Sequence, residues 1–154
     1  METKLSPVWK QAVSDLMGAG FNYGSSVSRE EIAGLCGLVE PKTIAEKERY
    51  DLKLMSCICD IKESLLLEHE MLLVTNRDGT YRVLHPKEQT SHAVEEGTKA
   101  IAKELQRMAT GVQYVNVALL DDTQRRQNAD AQAKLSMLAG MTKMQNMELR
   151  MIVE

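Results

Sequence analysis

Two helix starts followed by a hairpin turn, all within residues 28–84, constrain this chain more than its composition does. Ser28-Arg29-Glu30-Glu31 is a capping box: the serine hydroxyl is placed to accept from the Glu31 N–H, and the Glu31 carboxylate to reach back to the Ser28 N–H. Val27 and Ile32 occupy the two positions of a hydrophobic staple around it. Gly37 suits a left-handed helix end and Pro41 lies just beyond, so this first helix is short. Thr43-Ile44-Ala45-Glu46 repeats the box and opens a helical pattern that runs to about Met71 without glycine or proline. Leu54, Ile58, Ile61 and Leu65 recur at spacings of three and four and form its buried stripe, while Arg49, Lys53 and Ser56 fall on a different face. The next segment, 73–84, has Asp78-Gly79 as a turn between the β-rich pairs Val74-Thr75 and Tyr81-Arg82-Val83, and Pro86 closes the second strand.

Helix, helix and hairpin in that order are what a winged helix-turn-helix requires. In such domains the second helix lies in the major groove and the hairpin reaches adjacent phosphates or the minor groove. The candidate DNA-binding residues are then Lys47, Arg49 and Lys53 on the second helix, with Asn76, Arg77 and Arg82 on the hairpin. Basic side chains there gain affinity by releasing condensed counterions, and an asparagine or arginine can also read a base edge. The expected fold class is mainly α with a small β-hairpin, a winged helix-turn-helix core plus long C-terminal helices. The expected segments are 1–24, an N-terminal helix and link; 25–88, the core; and 89–154, a helical extension serving as a dimerisation or partner-binding arm.

Flanking elements are written less sharply. Ser6-Pro7 reads as an N-cap and first helical residue, Val8, Trp9, Ala12, Val13, Leu16 and Met17 as an apolar face, and Gly18 and Gly20 as its stop. Residues 21–26 read as a turn or short extended link. A helix over 91–108 has Val94, Ile101, Leu105 and Met108 as its inner face and Gly111 as its end. Residues 112–120 alternate imperfectly and read equally as a strand or as irregular chain. Asp121 and Gln124 have capping-box spacing, and one long helix follows to the C-terminus. Five of the ten methionines lie on it: Met137, Met141, Met144, Met147 and Met151. Unbranched thioethers adapt to irregular surfaces, so this stripe is read either as packing or a homodimer seam, or as a partner-binding face.

Composition sets limits on these readings. A net charge of −3 and a pI near 5.7 exclude a surface that is basic throughout, so any DNA contact must be a local patch. Glu46, Glu48, Asp51 and Asp60 are interspersed among its cations. Three cysteines without a CxxC pair suggest reduced core thiols, not a disulfide framework or a zinc site. His69, His85 and His92 stand at no metal-binding spacing, and no nucleophile elbow, P-loop or dinucleotide fingerprint occurs. No catalytic residue, metal or cofactor is therefore expected. No apolar run approaches the roughly 20 residues of a membrane span, and the N-terminus lacks a secretory h-region, so no membrane partner is expected and the location is cytoplasmic.

The run 20–32, which opens Gly20-Phe21-Asn22-Tyr23-Gly24, with Arg49-Tyr50-Asp51-Leu52, Glu68-His69-Glu70-Met71, Tyr81-Arg82-Val83-Leu84-His85-Pro86 and the run 127–135, together resemble small accessory proteins encoded by tailed phages and prophages of enterobacteria. That resemblance implies a non-enzymatic accessory role in a bacterial host cell, without naming a reaction. The hairpin is also similar to the Gly-Tyr-Arg hairpin of response-regulator effector domains, although here Thr80 separates Gly79 from Tyr81. Two functional expectations follow. One is a regulator that contacts DNA; the other is a protein-binding inhibitor, an antirepressor or counter-defence factor, that acts on a host or phage protein through acidic helix faces or the methionine stripe.

Overall fold

The computed structural model describes residues 7–153, with side chains described through Gln145 and at Glu148. The protein is mainly helical with a small antiparallel sheet, in the order α1 (Val8–Gly18), β1 (Ser26–Val27), α2 (Arg29–Leu35), α3 (Ile44–His69), β2 (Leu73–Thr75), β3 (Tyr81–Val83), α4 (Pro86–Gln113), a single 3-10 turn (Val117–Leu119) and α5 (Asp122–Val153). It divides into two compact units, residues 1–89 and 90–154.

The N-terminal unit is built around α3. Leu54, Ile58, Ile61 and Leu65 are buried along it, as their spacing requires, and α1 supplies Ala12, Val13 and Leu16 to the same core. The N-terminal helix and the core segment therefore share one hydrophobic interior. Ile32 and Ala33 of α2, with Leu73, Tyr81 and Val83 of the sheet, complete it. Burying a Leu, Ile or Val side chain contributes about 1.5–3 kcal/mol each, so this interior is what holds the unit together.

Both capping boxes form as the sequence requires. Ser28 accepts from Glu31 N–H at 3.1 Å and donates its own N–H to the Glu31 carboxylate at 2.7 Å. Thr43 and Glu46 make the same reciprocal pair at 3.2 Å each. Two glycines end helices by the expected left-handed route. Gly20 (φ 83) lets Phe21 N–H return to the Leu16 carbonyl at 3.1 Å, and Gly37 (φ 64) lets Leu38 N–H return to Ala33 at 2.9 Å. At the end of α3 a glutamate, Glu70, takes the left-handed conformation with φ 57, which favours glycine.

Several elements differ from the sequence reading. Ser26, read as the end of a link, and Val27, read as a staple residue, form a strand that pairs with β3, giving the sheet order β1-β3-β2. The register sets Val27 against Tyr81 and Leu73 against Val83. A two-residue strand has no readable alternation; β3 supplies its partner groups. Pro7 stands before α1, not within it, and Ser6 lies outside the described residues. Pro86 starts α4 instead of closing a strand, its missing N–H being harmless at a first helical position. That helix runs through Gly111 to Gln113, and residues 112–120 contain no strand. A lone glycine costs about 1 kcal/mol in a helix and does not stop one.

In the C-terminal unit α4 and α5 form a helical hairpin. Asn116 caps the 3-10 turn, and the expected Asp121–Gln124 box starts α5, with Gln124 N–H to Asp121 at 2.8 Å and Asp121 N–H to Gln124 at 3.1 Å. The Gln132 side chain donates to the Val112 carbonyl at 3.4 Å. Leu105, Ala109 and Leu135 turn toward the partner helix, whereas Ile101 and Met108, expected on the inner face, are exposed. The row that α5 covers is rotated from the apolar stripe of α4 because α5 meets only one edge of it.

Candidate nucleic-acid interface

The chain between α2 and α3 turns at Gly37 and Pro41, and the Thr43 box sets where α3 begins. An ion pair from Arg29 to Asp51, 3.0 Å, ties the start of α2 to α3. Core contacts begin only at Tyr50 and Leu54, so residues 42–49 are exposed and the first turns of α3 stand in solvent. Lys42, Lys47, Arg49 and Lys53 lie there. None of the four forms an ion pair among the described residues. Two nearby acids are already engaged: Glu46 accepts backbone N–H groups from Lys42 and Thr43, and Asp51 holds Arg29. Glu48 beside them forms no ion pair among the described residues.

Helical geometry divides the cations that the sequence groups together. Arg49 and Lys53, four residues apart, share one face, whereas Lys47 lies almost opposite Arg49 on the row that continues into Asp51 and Leu54. Lys42, missed in the sequence reading, precedes the Thr43 cap directly. Its position before a helix N-terminus, where the peptide dipoles favour an anion, was the available signal.

The hairpin tip is more rigidly specified than an Asp-Gly pair alone implies. Asn76 N–H donates to Thr80 at 2.7 Å and Gly79 N–H to Asn76 at 3.1 Å. Of the tip residues only Gly79 has positive φ, 85°. A two-residue type I′ turn would need two such residues, so the tip is a three-residue loop whose last position is left-handed. The Asp78 carboxylate accepts from the Thr80 hydroxyl at 2.7 Å and from its N–H at 3.0 Å, and these bonds hold the Asp78 carboxyl below its ordinary range.

These bonds sort the nominated hairpin residues. Asn76 donates its side-chain amide to Thr80 at 3.0 Å and is bound into the loop. The Arg82 guanidinium lies 3.5 Å from Glu88. Glu88 in turn accepts from His85 N–H, the larger cause of its lowered pKa, with Arg82 adding to it. Arg77 is exposed at the tip with no ion pair among the described residues. Lys62, which was not nominated, is committed to the fold: its ammonium sits 5.1 Å above the Tyr81 ring and donates to Thr75 at 3.3 Å.

Of the nominated methionines, Met137, Met141 and Met144 are exposed on α5, and the side chains of Met147 and Met151 lie outside those described. Cys36 is buried beside the half-buried Cys57, whereas Cys59, expected in the core, is exposed. Burial, and then the neighbouring Cys57, pushes the Cys36 thiol up to about 12. Among the described residues no group of three or more His, Cys, Asp or Glu could hold a metal ion, and no helix is long and apolar enough to cross a membrane.

Comparison with protein-family models, curated proteins and solved structures finds no match to this chain.

Proposed function

We propose that this protein is a non-enzymatic regulator with a winged-helix core, in a phage or prophage accessory role, that contacts DNA through the first turns of α3 and the hairpin tip. One observation carries the reading. The element order α1-β1-α2-α3-β2-β3 with the sheet order β1-β3-β2 is the one a winged helix would have, and the first turns of α3, its recognition helix under this reading, and the hairpin tip are both solvent-exposed.

The electrostatics are local. Lys42, Arg49 and Lys53 on α3 and Arg77 on the hairpin supply cations for phosphates, and the α3 N-terminus adds its dipole. Arg82 serves chiefly to hold the start of α4 through Glu88, and Asn76 to close the hairpin. A gel-shift series at low salt tests the proposal: retardation that weakens in Arg49→Ala and Arg77→Ala is expected, and no retardation at any concentration overturns it.

A second reading, a protein-binding inhibitor, has its own support. Leu52 and Met55 are exposed on a face of α3 that also carries, at helical spacing, Glu48 and Glu63. An acidic face with exposed apolar side chains suits a basic protein surface better than phosphate. Under this reading Leu52→Lys abolishes capture of the partner and leaves the fold intact.

A further inference from the structure

We propose that the C-terminal unit is a homodimerisation hairpin: one flank of α4 and α5 packs on the same flank of a second copy of this chain. Leu135, 8% exposed, is the only buried residue of the unit among the described residues. Helices in proteins draw their stability from packing an apolar face, not from propensity, and a pair that buries one side chain has not closed a core.

The uncovered apolar groups fall together. Ile101 (53% exposed) and Met108 (48%) are one heptad apart on α4; Leu138 (49%) and Met141 (54%) are neighbours on α5. The groove of about 460 Å³ between the helices has a polar rim of Gln106, Gln113, Gln132, Ser136 and Lys143, and none of those four apolar residues lines it. Helical spacing sets them on the other flank. The groove flank thus sets a polar rim around a floor that includes Leu105, Ala109 and Leu135, and the opposite flank carries the large exposed apolar side chains.

Area and charge both point to a second copy as the occupant. Four half-exposed side chains at roughly 100 Å² each offer about 400 Å² of apolar surface per copy, approaching the roughly 500 Å² that is apolar in the ~800 Å² a partner contributes to a standard interface. Residues 90–154 carry eight basic and eight acidic side chains, so the whole net charge of −3 resides in residues 1–89. The ions that border the apolar flank by helical spacing belong to two closed pairs, Glu104 with Arg107 at 3.1 Å and Lys134 with Asp130 at 2.6 Å, so the border carries both signs equally. A two-fold interface brings the same patch together twice, and a neutral patch with both signs at its border meets its own copy without repulsion. A strongly charged partner would find no net field to recognise.

Sedimentation of the full chain at tens of micromolar tests this without DNA, so its result is independent of the DNA reading. The expected species has twice the 17.3 kDa chain mass. Leu138→Glu and Met141→Glu each bring a carboxylate into the dry interface and should weaken the dimer at least about a hundredfold. Met137→Glu, which lies further round α5, should leave it intact. The double variant Leu138→Gln, Met141→Gln removes the apolar contact without adding charge, and circular dichroism verifies its helices. A wild-type chain of 17.3 kDa at that concentration, a dimer that survives all the flank variants, or a dimer lost equally in Met137→Glu overturns the proposal.

Discussion

The two units of this protein solve the problem of burial differently. In residues 1–89 three helices and a small sheet converge on one interior, with Ile32, Leu54, Ile61, Leu65 and Val83 fully enclosed. In residues 90–154 two longer helices bury Leu135 and leave Ile101, Met108, Leu138 and Met141 about half exposed. Helix length is therefore no guide to self-sufficiency here. What matters is how many elements meet around one point, and the shorter elements of the N-terminal unit meet more completely.

The largest expected effect breaks that contrast directly. Ile61→Ala should cost about 2–5 kcal/mol, because it leaves a cavity in an interior that cannot collapse around it. Leu135→Ala should leave the urea midpoint of the N-terminal unit where it is, since Ile61 and Leu135 belong to different compact units. A shift of that midpoint in Leu135→Ala would show that the units are not energetically separate.

Smaller effects distinguish ligand groups from structural ones within the N-terminal unit. Arg49→Ala and Arg77→Ala should each weaken DNA binding several-fold and lower the salt slope by about one, with stability unchanged. Arg82→Ala should weaken binding less and disturb the start of α4 instead, seen as lost helical signal. Thr43→Ala removes a cap from α3 and should cost about 1 kcal/mol in urea unfolding. The smallest effect is in acid. The Asp78 and Glu88 carboxyls titrate lower in the folded chain than their ordinary 3.8 and 4.5. Their stabilisation is thus present above those values and is lost as pH falls through the lowered folded ones. Thr80→Val, which deletes the hydroxyl donor to Asp78, should reduce the acid dependence of the hairpin signals measured by NMR.

Local chemistry explains why some elements were legible in the sequence and others were not. Ser28, Thr43 and Asp121 mark helix starts with side-chain bonds to residues three positions on, so the sequence carries the whole signal. Leu54 to Leu65 could be placed in the core because a helical stripe has one period. β1 could not be found this way: its two residues form a strand only because β3 lies alongside. The end of α4 was missed for a related reason, since Gly111 is a stop only where a left-handed residue finds carbonyls to close on.

Candidate ligand groups were legible by type and position but not by availability. Asn76, Arg77 and Arg82 look equivalent in the sequence, and hydrogen bonds to Thr80 and Glu88 leave only Arg77 uncommitted among them. Lys47 looks like part of a cluster with Arg49 and Lys53 until helical rotation separates it. The methionines resisted reading because a stripe at helical spacing fits an interior, a seam or a surface equally; Met137, Met141 and Met144 turn out to be exposed.

Salt-dependent binding tests the functional account most directly. The full chain is titrated against a fluorescent random-sequence duplex at several salt concentrations, and wild type is compared with Arg49→Ala and Arg77→Ala. The expected result is measurable binding at low salt, a negative slope of log affinity against log salt, and a slope shallower by about one for each cation removed. No binding at the lowest salt, or slopes that are identical in all three chains, would contradict a DNA interface at the start of α3 and the hairpin tip.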